Sequence, residues 1–92
     1  MMDREFYCSR IAMVANLLME EEIPFTVNNC GDGWQLRFPW DNGDVICHSG
    51  SYGSYKGMVE SYGFPWDGND VTTADPYKMA QYIINYYHEI HN

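Results

Sequence analysis

Phe38–Val45 reads FPWDNGDV, and Phe64–Val71 repeats it almost letter for letter as FPWDGNDV. Each copy joins an aromatic-Pro-aromatic hinge to two carboxylates set around Asn and Gly. Gly takes positive φ without steric cost, and Asn and Asp side chains bond their own backbone. Each phrase therefore reads as a loop, and the fold turns on what each loop connects. Ahead of the first copy, Trp34, Leu36 and Phe38 alternate with Gln35 and Arg37. That period of two is a half-buried strand. Val45–His48 is a second strand, joined to the first through the hairpin signal Asp41-Asn42-Gly43-Asp44. Phe25–Cys30 is a third, joined through the turn residues of Asn28–Gly33. Short connections between successive strands imply an antiparallel meander.

Around the second copy the pattern differs. Tyr55, Met58, Val59 and Tyr62 follow i, i+3, i+4, i+7, which predicts a short helix capped by Gly63. Asp75-Pro76 reads as an N-cap with proline in the first turn of a last helix, whose stripe is Met79, Ile83, Tyr86 and Ile90. At the other end, Asp3–Glu22 predicts a first helix on Tyr7, Ile11, Val14 and Leu18. Phe6, Met13 and Leu17 add a second apolar strip, and Pro24 closes the helix. The two phrases are thus expected in different contexts, one between strands and one between helices, as similar loops rather than a tandem repeat. The fold class expected is α+β, in the order α-β-β-β-α-α. A three-stranded antiparallel sheet packs one face (Trp34, Leu36, Phe38, Val45) against helices, in a single domain over residues 1–92.

Thirteen acids against five bases give a net charge of −8. Such a field repels nucleic-acid phosphates and anionic membranes and favours encounter with basic proteins. Direct nucleic-acid binding and membrane association are not expected. Three cysteines with no CxxC pair argue against a disulfide framework. They fit a reducing cytoplasm. No signal-peptide pattern is read at the N-terminus, and no apolar run reaches membrane-spanning length.

Catalytic patterns are weak. Cys47 and His48 are adjacent, and neighbours on a strand point to opposite faces. A cysteine-dependent enzyme using Cys47 or Cys30 with His48 is one alternative. His88 and His91 have ligand spacing, but no third ligand is indicated, so no metal and no cofactor are expected. A small-ligand or nucleotide-sequestering module built on Tyr52, Trp40 and Trp66 is a second alternative. The principal reading is a non-enzymatic binding protein. Its partner-binding set is Asp41, Asp44, Asp67 and Asp70 of the two loops, with Trp66 and Tyr52. The window 41–75 holds six acids against Lys56 alone. Glu20-Glu21-Glu22 lies at the wrong end of a helix dipole and reads as a solvated face. Charge reversal at Asp67 and Asp70 is expected to weaken partner binding more than changes at Glu20–Glu22.

In element order, size and acidity the chain resembles small phage anti-CRISPR proteins that inhibit a CRISPR nuclease by occupying its DNA-binding groove. The resemblance rests on layout and charge, with no shared motif. It implies a mobile-element inhibitor whose carboxylates, here Asp41, Asp44, Asp67 and Asp70 joined by Glu60 and Asp75, stand in for phosphates on a basic host protein, such as a nucleic-acid-guided nuclease. The last helix departs from that pattern, being rich in Tyr and Ile and poor in acid. The α-β-β-β-α portion also resembles double-stranded-RNA-binding domains in layout. Those need basic side chains that this chain lacks.

Overall fold

A computed structural model describes residues 4–64 and 71–91. Helix α1 spans Arg4–Glu20 and helix α2 spans Pro76–Ile90. Between them lie five strands: β1 (Thr26–Cys30), β2 (Gly33–Arg37), β3 (Asp44–Cys47), β4 (Val59–Tyr62) and β5 (Val71–Ala74). They form one antiparallel sheet in chain order, β1-β2-β3-β4-β5. The α+β class and the β1–β3 meander agree with the sequence reading. The sheet has five strands rather than three, and the element order is α-β-β-β-β-β-α.

The difference arises at the expected middle helix. Gly53 and Gly57 both hold φ of 79° and bracket a single 3-10 turn, Ser54–Lys56. A helix cannot run through two left-handed residues, so the i, i+3, i+4, i+7 spacing there is coincidental. After Gly57 the chain extends instead. Val59, Glu60 and Ser61 are all buried, and Tyr62 is exposed. That is strand β4. The β-branched run Val71-Thr72-Thr73 is β5, where no strand is predicted.

Both repeated phrases therefore join consecutive antiparallel strands. In β2–β3, Leu36 pairs with Val45; in β4–β5, Tyr62 pairs with Val71. Each pair consists of the residue two before the Phe and the Val that ends the phrase. The two hairpins have the same internal register, so their flanks do align. They are set into the sheet with opposite faces. Val45 pairs with Ser61, one residue short of Tyr62, and a slip of one residue turns a strand over. Leu36 consequently faces the core while Tyr62 faces solvent. Gly63, at φ 90°, then bends the chain so that Phe64 returns to the core.

Leu36, Val45, Cys47, Val59, Ser61 and Ala74 line the covered face of the sheet. Tyr7, Ile11, Val14 and Leu18 of α1 and Met79, Ala80 and Ile83 of α2 pack over it. The second strip predicted for α1 is not buried as a strip: Met13 is 48% exposed and Leu17 half-buried. The opposite face, with Gln35, Arg37, Asp44, Ile46, Glu60, Tyr62 and Thr73, has no helix over it among the described residues.

Helix α1 ends before Pro24, in a Schellman motif. Ile23 N–H donates to the Leu18 carbonyl and Glu22 N–H to that of Met19, both at 3.0 Å. Glu22 occupies the left-handed position (φ 57°) that glycine usually takes.

Candidate functional site

The acids expected to meet a partner are largely engaged within the fold. Asp41 Oδ2 accepts from Gly43 N–H at 3.0 Å, closing the first FPWD loop. Its Oδ1 accepts from the Tyr86 hydroxyl at 3.0 Å, tying that loop to α2. Burial, and then this carboxylate, raise the Tyr86 hydroxyl above the usual phenol range. Asp44 Oδ2 accepts from Gln35 Nε2 at 2.7 Å. Burial pushes the Asp44 carboxyl up, against the pull of Gln35, Arg37 and the Tyr62 backbone. Glu60 is buried to 9% exposure and its Oε1 accepts Tyr52 N–H at 2.8 Å, holding the loop between β3 and β4. Asp75 caps α2, accepting Lys78 N–H at 2.9 Å. Tyr52 itself is 67% exposed. Trp66, Asp67 and Asp70 lie outside the described residues.

Trp40 has a structural place as well. Its Nε1 donates to the Pro24 carbonyl at 2.9 Å. Its ring lies among Phe38, Phe64, Tyr86, Tyr87 and His91, with centroids 5.0–6.4 Å away. Phe38 and Phe64, which open the two phrases, meet at 5.5 Å. The aromatic hinges thus hold two adjacent hairpins together and dock them on the end of α2.

The two thiols read from the sequence as nucleophile candidates, Cys47 and Cys30, are both pushed towards the neutral form. Cys47 is buried on the covered face, where burial pushes its thiol up despite Arg10 beside it. Burial and then the Asp44 and Glu60 carboxylates push Cys30 up too. A raised pKa leaves less thiolate at neutral pH. His48 Nδ1 accepts from Gly50 N–H at 3.0 Å, within its own turn. His88 Nε2 lies 3.3 Å from Glu21 Oε1, and no group of three or more His, Cys, Asp or Glu among the described residues could hold a metal.

Charge is partitioned in a way the sequence does not announce. Arg10 is buried on α1, and its Nη1 donates to the carbonyls of Ser54 (2.6 Å) and Met58 (3.4 Å) and to Cys47 Sγ (3.5 Å). It pins the loop before β4 to the first helix. Among the described side chains, Arg37, Lys56 and Lys78 are the exposed bases, while Glu20, Glu21, Glu22, Asp32, Asp75 and Glu89 are exposed acids. One cation is thus internal, but Glu60 is buried and Asp41 and Asp44 are half-buried too, and the exposed set of six acids and three bases keeps an excess of acid. Asp32 accepts Ser49 N–H at 2.9 Å, and this bond holds its carboxyl below the ordinary range, so it stays ionised. The position of Arg10 in the helical stripe of Tyr7, Ile11 and Val14 is the signal that betrays its burial.

Strand β1 pairs only with β2 among the described residues and forms one edge of the sheet. Its sequence, TVNNC, carries no charge and no proline, and Val27 is 52% exposed. Beside it runs an apolar groove between α1 and the sheet, lined by Cys8, Ile11, Ala12, Ala15, Asn16, Val27 and Trp34. Neither feature is part of the sequence-derived partner-binding set. No known family model matches the chain, and no curated protein or solved structure is significantly similar to it. No helix of the described residues is long and apolar enough to cross a membrane.

Proposed function

We propose that this chain is a non-catalytic acidic binding protein that engages a basic surface on a partner protein, of the kind that otherwise holds nucleic-acid phosphates. The observation that carries the reading is the excess of acid over base among the exposed side chains. Six acids are exposed against three bases among the described side chains, with Arg10 withdrawn into the core. A surface of one dominant sign steers association with the opposite sign. The raised Cys30 and Cys47 thiols weigh against the thiol-enzyme alternative. The packing of Trp40 removes one stacking surface from the small-ligand alternative.

Asp41, Asp44, Glu60 and Asp75 serve the fold in this reading. The proposed contact acids are the unburdened Glu20 and Glu22, with Glu21, Asp32 and Glu89 beside them. Asp67, Asp70 and Trp66 stay in the proposal on the strength of sequence alone. The mobile-element inhibitor of a nucleic-acid-guided nuclease stays as the specific form suggested by size and acidity alone, because the order α-β-β-β-β-β-α withdraws the support of element order.

Immobilised protein exposed to lysate and eluted with a salt gradient tests the class. A basic nucleic-acid-binding protein should be released by rising salt, and free nucleic acid should compete for it. Failure to retain any basic protein at low salt would overturn the reading.

A further inference from the structure

We infer that β1 is a docking edge for an extended, basic-flanked segment of the partner, which adds to the sheet as a sixth strand. The inference deepens the acidic-binding reading and rests on it for the sign of the partner's charge. An edge strand presents backbone donors and acceptors to a second chain, and proteins commonly blunt such edges with Lys, Pro or a bulge. Strand β1 has neither Lys nor Pro, and its five residues pair with β2 in unbroken register. Strand addition draws affinity from main-chain hydrogen bonds and specificity from pockets for alternate side chains. Here the alternate positions are supplied. Val27, paired with the buried Leu36, opens onto the apolar groove beside Ala12, Ala15 and Trp34. A strand laid along β1 would place every second side chain over that groove.

Charge selects the occupant. The groove and the strand carry no charged residue. The chain reaches β1 from Glu20-Glu21-Glu22 and leaves it into the turn that holds Asp32. Acid thus flanks the neutral strip in the chain at both ends, with Arg37 of β2 as the one base beside it, paired with Thr26. A segment with small apolar residues at alternate positions and Lys or Arg at both ends matches it in either direction. A second copy of this chain does not. Antiparallel pairing of β1 with itself would set each Glu22 end beside the other copy's Asp32. Parallel pairing would set Glu22 beside Glu22. Both add repulsion between two chains of charge −8.

The test uses a fluorescein-labelled peptide, KKVTVTVKK, titrated with the whole chain and followed by anisotropy. The comparison peptide has the same side chains but an N-methyl group on every amide of its VTVTV stretch, which blocks both strand edges, so it keeps its charge and cannot pair as a strand. Saturable binding of the first is expected, with at least about tenfold weaker binding of the second. Amide exchange should slow along Thr26–Cys30 in the complex. Val27→Glu gives the sharper contrast, because Val27 is half exposed and the substitution leaves the covered core intact. Attraction by charge alone would make that variant bind more tightly. Docking in the groove makes it bind more weakly. Equal binding of the two peptides, or tighter binding by Val27→Glu, would overturn strand addition. Binding of neither peptide would overturn it as well. If salt-sensitive capture of a basic protein persisted in that case, the acidic-binding reading would stand; if capture failed too, both would fall.

Discussion

At the scale of single residues, Gly43 shows how the repeated phrase works. A Cβ built there would lie 2.6 Å from the ring of Phe64, so the first loop must lack a side chain for the second loop's Phe to pack on it. Gly43→Ala should destabilise the protein by about 1–3 kcal/mol, read from the urea midpoint. Glu22 is the opposite case, a side chain where glycine fits better. A left-handed residue costs about 1–2 kcal/mol and glycine's own entropy returns part of that. Glu22→Gly should therefore raise stability by about 0.5–1 kcal/mol in the same assay. Asp44 gives a pH signature. Burial raises its folded pKa, so between the ordinary Asp value and the raised one the native state binds more protons than the unfolded state. Stability then falls as pH rises through that window and levels above it. Asp44→Asn should remove this slope and gain on the wild type towards neutral pH, measured as urea midpoints across a pH series. Turn chemistry such as Asp41-Asn42-Gly43 was legible because it acts within a few residues. The engagement of Asp41 with Tyr86 was not, because 45 residues separate them.

At the scale of elements, the start of α2 and the meander were readable, and the middle of the chain was not. Asp75-Pro76 announced α2, and the structure shows Asp75 accepting Lys78 N–H. Asp75→Ala should cost about 1 kcal/mol, with the loss appearing as a lowered thermal midpoint. Helix α1 was legible from its stripe, although its burial was overstated at Met13. Strand β4 was missed because Tyr55, Met58, Val59 and Tyr62 mimic a helical face. The decisive signal was the pair Gly53 and Gly57, which only a chain with two left-handed turns requires. Once β4 is recognised, the second phrase becomes a hairpin loop, and the repetition gains a physical reason. Two adjacent hairpins use the same aromatic opening so that Phe38 and Phe64 meet over α2 with Trp40 and Tyr86. The β1 edge was not legible as a site. A strand's position in a sheet depends on which strands pair, and a five-residue stretch does not encode that.

At the scale of the whole molecule, acidity was legible from composition, and its distribution was not. Composition counts Arg10 as a surface cation, whereas the fold places it in the core as the anchor of the loop before β4. Composition also gathers six acids into residues 41–75, whereas the fold commits four of them to its own hydrogen bonds. Of the exposed acids left, Glu20, Glu21 and Glu22 at the end of α1 and Asp32 lie on either side of β1 in the chain, and Glu89 lies on α2. The most direct test of an acidic binding protein is therefore the salt dependence of its affinity for the basic protein it captures. Wild type should be compared with Glu20→Gln/Glu21→Gln/Glu22→Gln and with Asp67→Asn/Asp70→Asn. Exposed charges are screened within about 10 Å at 0.1 M salt, so affinity for the wild type should fall as salt rises. The triple variant should bind about tenfold more weakly at low salt and lose part of that dependence. Affinity that is indifferent to salt and unchanged in both variants would contradict the account.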